Sequence, residues 1–240
     1  MGKITKEKFK TYKTVFDDWT ERNIAKLMAQ GHFNEILSPI ALGKEANVFT
    51  AEKKDGTIVI IKIYRLETCD FNRMYDYLRL DVRYSSVKHS RRSIIFTWAQ
   101  REYRNLMKAR EKGIRVPTPM AIRDNILVLE YIGDDVPAPK LKDYVPRARK
   151  KVLDKIIEYM KKLHQLGLVH GDLSEFNILI KDDNPYFIDF SQSSSIESST
   201  ARELLVRDCK NIARFFTKIG TEIKMETIWK KITGKEYTPN

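Results

Sequence analysis

The chain has 240 residues, 42% of them hydrophobic, and its 44 Lys and Arg against 32 Asp and Glu give a formal net charge of +12. This length and apolar content suffice for one large domain or for two small lobes that share a cleft. The positive charge favours polyanionic partners such as nucleotides or nucleic acid. The two cysteines form no CxxC or Cys/His cluster, so the sequence indicates neither a disulfide framework nor a zinc site.

The N-terminal region predicts a short helical unit. Apolar residues recur at roughly helical spacing over residues 12–30, and Gly31 follows as a stop signal. We therefore assign residues 1–36 to an N-terminal helical extension. The first ten residues, MGKITKEKFK, lack the apolar core of a signal peptide, and no apolar run approaches the roughly 18 residues of a membrane span. We expect a cytoplasmic protein that does not associate with membranes.

Residues 37–132 predict a β-rich lobe built on an antiparallel sheet. Asp55 and Gly56 lie between two β-rich runs, which is the strongest short-range signal for a hairpin. A helix is predicted over residues 93–112, and two strands follow around a turn at residues 123–125. Residues 66–92 carry many charges and little clean periodicity. We therefore expect this segment to be partly mobile, or ordered only against a partner.

The remaining residues, 133–240, predict an α-rich lobe. Four segments have helical patterns: residues 141–144, 148–166, 201–219 and 221–232. The apolar runs NILI and YFID flank a turn at residues 182–185 and predict a second hairpin. The sequence as a whole therefore predicts an α+β fold with a β-rich N-terminal lobe and an α-rich C-terminal lobe.

Three polar side chains of the C-terminal lobe carry the candidate chemistry. In LVHGDLSEFNILI, Asp172 and Asn177 have the separation of the Asp and Asn in the protein-kinase catalytic loop, although Gly171 replaces that loop's Arg. In that scheme Asp172 accepts a hydroxyl proton, and Asn177 turns its amide oxygen towards Mg²⁺. Pairing of NILI with YFID would bring Asp189 beside Asn177 as a second oxygen ligand. Alternatively, Asp172 is a turn residue, Asn177 a cap and Asp189 a strand terminator. The order and spacing of the three residues together favour catalysis.

Lys62 and Glu102 are predicted to form an ion pair. Lys62 interrupts the apolar strand IVIIKIY, where an ammonium group must reach water or meet an anion. Glu102 shares a helix face with Trp98 and Leu106, so its carboxylate points towards the core. No Lys or Arg stands three or four residues from Glu102. Pairing would hold the ammonium of Lys62 against the α and β phosphates of a nucleotide, whereas two unrelated surface charges are the alternative.

A nucleotide site is predicted around the first hairpin and the link between the lobes. ALGKEANVF holds one glycine, Gly43, where a kinase nucleotide loop has three. Backbone N–H groups near Gly43 and Lys44 could cradle phosphate while Val48 covers a purine ring, although an ordinary hairpin turn explains them equally well. In LVLEYIG, the carbonyl of Glu130 and the N–H of Ile132 could hydrogen-bond adenine.

Five blocks of the sequence resemble the type-one branch of the RIO family of atypical protein kinases: GKEANVF, WAQREYRNL, LVHGDLSEFNILI, IDFSQS and LLVRDCKNIARFF. The resemblance implies a bilobal protein-kinase-like fold that lacks an activation loop and a peptide-docking subdomain. It also implies serine/threonine phosphorylation that depends on ATP and Mg²⁺, with Mn²⁺ as an alternative metal. Asp172 matches the family's catalytic aspartate and Lys62 its phosphate-binding lysine. Asn177 and Asp189 match its metal ligands.

The resemblance further implies ATPase activity with phosphate transfer to Asp189, and a role in maturation of the small ribosomal subunit, whose precursor RNA would suit the basic charge. Two other functions stay open. One is a small-molecule phosphotransferase of the aminoglycoside or choline kinase type, and the other is an ATP-gated ribosome-assembly factor without a protein substrate. A catalytically dead binding module is disfavoured because Asp172 and Asp189 are both present. The serine-rich residues 191–200 are candidate autophosphorylation sites, although a solvated turn explains them more simply.

Overall fold

The computed structural model describes residues 16–239. Within them the chain forms six α-helices: α1 (Asp18–Ala29), α2 (Phe71–Arg79), α3 (Arg91–Glu111), α4 (Arg149–Gln165), α5 (Ala201–Lys218) and α6 (Met225–Thr233). It also forms nine strands: β1 (Glu35–Leu42), β2 (Ala46–Glu52), β3 (Ile58–Tyr64), β4 (Pro119–Arg123), β5 (Ile126–Glu130), β6 (Leu168–Val169), β7 (Ile178–Lys181), β8 (Asn184–Phe187) and β9 (Ser194–Ser195). Short 3₁₀ helices cover Val82–Tyr84, Leu141–Asp143 and Phe190–Gln192.

Five strands form the predicted antiparallel sheet, in the order β1-β2-β3-β5-β4. Val48, Lys62 and Leu127 are direct cross-strand partners, so their side chains project from the same face of the sheet. Phe49 and Ile61 project from the opposite face and belong to a hydrophobic cluster that includes residues of α1. Lys62 therefore faces away from α1, towards the rest of the molecule.

Both predicted hairpins are present. Gly56, with φ +82°, allows the tight turn between β2 and β3. Asp182 and Asp183 turn between β7 and β8, and both have positive φ, as a type I′ turn requires. The predicted turn at residues 182–185 was two residues too long, because Pro185 already pairs with Ile180 in the ladder.

Helix α1 belongs to the predicted N-terminal helical unit. Residues 12–15 of the predicted helix lie outside the described residues, and the helix itself starts at Asp18. The carboxylate of Asp17 accepts hydrogen bonds from the backbone N–H groups of Trp19 and Thr20, both at 3.0 Å, and so defines the N-terminus. The indole N–H of Trp19 donates to Asp124 at 2.9 Å, which docks α1 on the turn between β4 and β5.

Residues 66–92, whose expected mobility stays a prediction, contain regular secondary structure. They form α2 and a 3₁₀ turn, and Met74 and Leu78 in this segment are almost completely buried in the main core. These two residues are one helical turn apart on a helix whose other positions are largely polar. Such a narrow apolar stripe on a short helix is too small to stand out as a periodic pattern.

The C-terminal lobe is α-rich, as predicted. The helices predicted there at residues 148–166 and 201–219 agree with α4 and α5 to within one residue at each end. The helix predicted at residues 93–112 of the N-terminal lobe agrees with α3 to within two residues. The pattern at residues 141–144 corresponds to a 3₁₀ turn, and α6 begins at Met225, four residues later than predicted. The delay has a geometric reason: the chain reverses direction at Gly220, with φ +85°, before it can begin α6.

The core consists of two clusters of buried apolar side chains. The smaller cluster lies between the sheet and α1, whereas the larger one joins α2 and α3 to the C-terminal helices. In the part of the chain that the structure describes, no helix is both long enough and apolar enough to cross a membrane. The proposed lobe boundary between residues 132 and 133 stays a prediction.

Candidate active site

Lys62 lies at the centre of the candidate site. It is largely buried on β3, and its Nζ donates to Oε1 of Glu102 at 2.7 Å and to Oδ1 of Asp189 at 3.0 Å. Burial by itself lowers the pKa of Lys62, but the carboxylates of Asp189 and Glu102 outweigh it and raise that pKa well above its ordinary value. The ammonium group is therefore charged at every physiological pH and is held between the two lobes.

Glu102 is the ion-pair partner that the helix pattern predicted for Lys62. Its side chain on α3 is 1% exposed, and its second oxygen accepts a hydrogen bond from the hydroxyl of Tyr64 at 2.5 Å. Burial raises the pKa of Glu102, although the charge of Lys62 opposes this shift. Tyr64 was not among the predicted site residues. Its hydroxyl, on the same strand as Lys62, satisfies an oxygen that would otherwise be buried without a partner.

Asp189 follows β8 by two residues and has φ +63°, in the left-handed region that is strained for a non-glycine residue. Its Oδ1 accepts from Lys62 and also from Oγ of Ser191 at 2.7 Å. Burial by itself raises the pKa of Asp189, but Lys62 and Ser191 outweigh it and lower the pKa to about 2. With its side chain 40% exposed, Asp189 presents a permanently charged carboxylate to the cleft.

Asp172 and Asn177 lie in the loop between β6 and β7, and the two side chains are in contact. The Nδ2 of Asn177 donates to the carbonyl of Asp172 at 2.8 Å and to its Oδ2 at 3.0 Å. Both donors of the amide therefore face Asp172, which turns Oδ1 of Asn177 the other way. Burial and the nearby Asp189 raise the pKa of Asp172, partly offset by Arg207, so this carboxylate is more basic than an exposed one.

The hairpin of β7 and β8 brings Asn177 and Asp189 towards each other. Ile178 pairs with Phe187, and the N–H of Ile188 donates to the carbonyl of Asn177 at 3.0 Å. Asp189 is the next residue along the chain. Asn177 and Asp189 thus leave the same end of one hairpin, which is the arrangement that the sequence predicted for the two oxygen ligands.

The oxygens of Asn177 and Asp189 fit a hard divalent cation. Mg²⁺ prefers carboxylate, amide carbonyl and water oxygens, and it usually takes only one or two ligands from the protein. Among residues 16–239 no group of three or more His, Cys, Asp or Glu side chains has the spacing of a metal site. The donor set therefore suits a cation that completes its coordination with phosphate and water.

The residues predicted to contact the adenine differ in their burial and in their hydrogen-bond partners. Val48 is half-buried on the sheet face that carries Lys62, and Ile132 is buried at the end of the link between the lobes. The Glu130 carboxylate accepts hydrogen bonds from the backbone N–H of Thr118 at 2.9 Å and from its hydroxyl. The Glu130 side chain is therefore occupied by Thr118, and the predicted adenine contact is left to its backbone carbonyl.

The Gly43 amide, predicted to help bind phosphate, has a partner inside its own turn, and its phosphate-binding role stays a prediction. The N–H of Gly43 donates to the carbonyl of Ala46 at 3.0 Å and so closes the turn between β1 and β2. A Cβ at this position would lie 2.9 Å from the same carbonyl oxygen, so the glycine is needed for the close approach of the backbone. Lys44 is exposed at the tip of the turn and stays a predicted phosphate contact.

Glu45, in the same turn, is a fourth carboxylate of the site, after Glu102, Asp172 and Asp189, and was not among the predicted site residues. It is half-buried, and burial together with the nearby Asp189 raises its pKa. Within GKEANVF, a single acidic residue in a turn gives no local signal that it lies close to the other carboxylates. Its charge lies within electrostatic reach of Asp189 and Asp172.

Asp208 on α5 was also missed. It is 1% exposed, and its carboxylate accepts hydrogen bonds from the backbone N–H groups of Gly171 at 2.9 Å and Leu173 at 2.8 Å. These two bonds fix the backbone on either side of Asp172. The reasoning that identified Glu102 would have found Asp208, because it too is a carboxylate on the buried face of a helix.

The replacement of Arg by Gly171 beside Asp172 has a steric reason. Gly171 has φ +81°, and a Cβ there would lie 2.8 Å from the carbonyl oxygen of Gln192. Any side chain would therefore push the loop away from the segment that follows Asp189. The departure from the usual catalytic-loop sequence thus reflects close packing of two functional segments.

His170 gives a prediction for stability at acid pH. It is 2% exposed, its Nε2 lies 3.1 Å from the carbonyl of Ile188, and its Nδ1 has no hydrogen-bond partner within the described part of the chain. Burial lowers the pKa of His170 to about 4. Because the unfolded chain takes up this proton near pH 6.5, stability is lost as the pH falls from 6.5 towards 4, by about 3 kcal/mol at pH 4.

We therefore expect His170→Phe to lose less stability than the wild type when the pH falls from 7 to 4. The difference between the two losses in the free energy of unfolding should be about 3 kcal/mol. Urea unfolding of both chains, without nucleotide, measures this difference. The carboxylates titrate in both chains, so their contribution to the loss of stability cancels in the comparison. An equal loss of stability in both chains would contradict the prediction.

Comparison with known proteins gives a consistent result. A family model described as the RIO domain matches residues 47–228. The RIO-type serine/threonine-protein kinase Rio1 of Methanocaldococcus jannaschii is 44% identical over 97% of this chain and 80% of its own length. Rio1 of Haloferax volcanii is 39% identical over 96% of this chain and 80% of its own length.

A solved structure with a similar fold is that of the Rio2 kinase from Chaetomium thermophilum in an ADP/Mg²⁺-phosphoaspartate complex. It matches with a TM-score of 0.66 and 23% sequence identity, over 89% of this chain and 66% of the Rio2 chain. At this identity the match establishes the protein-kinase-like fold.

Proposed function

This chain belongs to the RIO family of serine/threonine protein kinases, and we propose that it transfers the γ-phosphoryl group of ATP in a Mg²⁺-dependent reaction at the cleft around Lys62. We also propose that part of its turnover is ATP hydrolysis through a phosphorylated Asp189. The observation that carries the proposal is the double contact of Lys62 with Glu102 and Asp189. A single buried ammonium group would then link the phosphate site to the metal site.

In the proposed mechanism Lys62 contacts the α and β phosphates, and Glu102 with Tyr64 fixes its direction. Asn177 and Asp189 would hold Mg²⁺, which when bound neutralises the charge of the phosphates. Val48 and the backbone of Glu130 and Ile132 would enclose the adenine. Each of these residues lies on a strand, on a helix or in a loop held by hydrogen bonds, so little rearrangement is needed on binding.

Asp172 is assigned as the proton acceptor for a serine or threonine hydroxyl. The hydroxyl oxygen attacks the γ phosphorus, its proton passes to Asp172, and the bond from phosphorus to the β–γ bridging oxygen breaks to release ADP. The raised pKa of Asp172 suits this task, because a more basic carboxylate takes a proton more readily. Asp208 supports the role by fixing the adjacent backbone.

Asp189 is assigned as the nucleophile of the hydrolytic branch. One carboxylate oxygen attacks the γ phosphorus as ADP leaves, and water then cleaves the acyl phosphate to give inorganic phosphate and the free carboxylate. Its pKa of about 2 supports this role, since no base is needed to ionise it. The Rio2 structure with the same fold is described as a phosphoaspartate complex.

The proposed biological setting is maturation of the small ribosomal subunit, with ATP and a ribosomal precursor as partners. The family resemblance and the net charge of +12 support it. A purely ATP-gated assembly factor is the second candidate, favoured by the charged carboxylate of Asp189. The family match leaves no reason to propose a small-molecule phosphotransferase.

Incubation of the purified chain with [γ-³²P]ATP and Mg²⁺ tests the proposal. We expect Mg²⁺-dependent label on the chain or on an added test protein, together with release of inorganic phosphate. Acid-stable label indicates serine or threonine phosphorylation, whereas label removed by hydroxylamine indicates an acyl phosphate. Hydroxylamine-labile label alone would favour the ATP-gated factor. The absence of both label and phosphate release would overturn the proposed function.

A further inference from the structure

Helix α3 carries two adjacent charged side chains that are both completely buried, Arg101 and Glu102. Neighbouring residues of a helix point in different directions, so the two charges reach different partners. Glu102 meets Lys62, whereas Arg101 reaches the segment after Asp189, residues 190–195. Burying a guanidinium group is costly, and Nη1 of Arg101 finds no acceptor among residues 16–239. A cost of this kind is expected where a residue serves function as well as packing.

Arg101 binds this segment through several donors at once. Its Nε and Nη2 donate to the carbonyl of Ser193 at 2.9 and 2.7 Å, and Nη2 also donates to the hydroxyl of Ser194 at 2.8 Å. Asn105, one helical turn further along α3, donates to the same Ser193 carbonyl at 3.2 Å. The hydroxyl of Ser193 in turn donates to the carbonyl of His170 at 3.0 Å. The segment is thus fixed between α3 and the loop that carries Asp172.

The counterion of this cluster comes from residues 66–92. Asp81 is completely buried, and Arg83 binds both of its oxygens, with Nε to Oδ1 at 2.9 Å and Nη2 to Oδ2 at 2.6 Å. The same carboxylate lies 4.0 Å from Nε of Arg101. Arg83 also donates to the side-chain oxygen of Asn105 at 3.2 Å. The carboxylate of Asp81, shared with Arg83, therefore offsets part of the buried charge of Arg101.

These contacts form a continuous ring of hydrogen bonds and chain segments that includes the candidate metal ligand Asp189. Lys62 joins β3 to α3 through Glu102, Arg101 joins α3 to Ser193, and Asp189 returns to Lys62. Asp189 stands only four residues before the anchored carbonyl, so the position of its carboxylate depends on where α3 holds the segment. Loss of the anchor would leave Lys62 as the main constraint on Asp189.

We propose that Arg101 is a positioning residue for the metal site, and that Asp81 is the residue through which the segment 66–92 supports it. Arg101 fixes residues 192–194 against α3, which holds the Asp189 carboxylate beside Lys62 and towards the Asn177 oxygen. The proposal rests on the proposed function, in which Asp189 and Asn177 bind the metal. It gives a role in metal binding to the segment 66–92, which the sequence left unassigned.

The substitution Arg101→Lys tests the role with little loss of volume. A lysine is a compact point charge and cannot reproduce the forked donation to Ser193 and Ser194. The affinity for ADP is measured by calorimetry with and without Mg²⁺. The gain in affinity that Mg²⁺ produces is then compared between the variant and the wild type. We expect that gain to fall by about 10- to 100-fold, as for other residues that orient metal ligands. The affinity for ADP without metal should stay within about two-fold of the wild type.

A second variant, Asp81→Asn, keeps the shape of the carboxylate but removes its charge, and should reduce the Mg²⁺ gain in the same direction. Asp76→Asn is the matched control, because Asp76 is exposed on the same segment and should leave the gain unchanged. In an Asp189→Asn background, Arg101→Lys should have no further effect on the gain, since the ligand it positions is already lost. If Arg101→Lys fails to fold, Asp81→Asn decides the question.

The outcomes separate this role from a merely structural one. A lower melting temperature with an unchanged Mg²⁺ gain in Arg101→Lys and Asp81→Asn would overturn the positioning role and leave the proposed function intact. A wild-type chain that binds ADP equally well with and without Mg²⁺ would overturn both. A reduced gain in both variants, with Asp76→Asn unchanged, supports the proposal.

Discussion

Asp189→Asn is expected to lose the Mg²⁺-dependent part of nucleotide binding and to reduce ATP turnover by at least about 100-fold. Removing an orienting partner of a metal ligand typically costs 10- to 100-fold, so losing a charged ligand itself should cost more. The substitution also removes the carboxylate that Lys62 contacts at 3.0 Å, but it keeps the shape of the side chain. Lys62 keeps Glu102 as its partner, so we expect the chain to fold.

The measurement combines calorimetry with ADP, with and without Mg²⁺, and the rate of phosphate release. Asp182→Asn is the matched control, because Asp182 is exposed in the turn of the same hairpin and asparagine tolerates its left-handed backbone. The hydroxylamine-labile label should vanish in Asp189→Asn and persist in the control. Wild-type turnover in Asp189→Asn would refute both the metal and the nucleophile assignments.

Asp172→Asn is expected to bind ATP with Mg²⁺ normally and to lose phosphorylation of hydroxyl groups by about 10²- to 10⁴-fold, the usual contribution of a general base. The asparagine can still accept the hydrogen bond from Nδ2 of Asn177, so the loop geometry should persist. What it cannot do is take the hydroxyl proton. The binding constant and the turnover rate, measured separately, therefore distinguish a lost base from a disturbed site.

The same variant separates the two proposed reactions. Asp189 is already ionised, so its attack on ATP needs no base. We therefore expect Asp172→Asn to keep the hydroxylamine-labile label while it loses the acid-stable label. Ser174→Ala, in the same loop, is the control for local disturbance and should keep both kinds of label. Equal loss of both labels in Asp172→Asn would contradict separate roles for Asp172 and Asp189.

Local patterns predicted a large part of the fold. The two hairpins follow from turn residues between β-rich runs, and α3, α4 and α5 follow from helical spacing of apolar residues. The same rules missed α2, whose buried stripe consists of Met74 and Leu78 on a short helix. They also placed the start of α6 four residues too early, because the reversal at Gly220 overrides the apolar pattern.

The sequence by itself predicted most of the chemical groups of the candidate site, although not Tyr64, Glu45 or Asp208. The spacing of Asp172 and Asn177 is a local property of one loop, and the buried helix face predicted the partner of Glu102. It also determined the family, through blocks such as LVHGDLSEFNILI that belong to single loops and helices. Each of these inferences depends on residues close together in the chain, where periodicity and spacing are informative.

Only the tertiary structure decided how these groups meet. The contact between Lys62 and Asp189 joins positions 127 residues apart, and the bonds from Arg101 to Ser193 span 92. The same holds for the bonds of Asp208 to the loop of Asp172 and for the close approach that requires Gly171. Such contacts arise from the packing of whole elements around a common core, and periodicity along the chain carries no information about which distant residues that packing brings together.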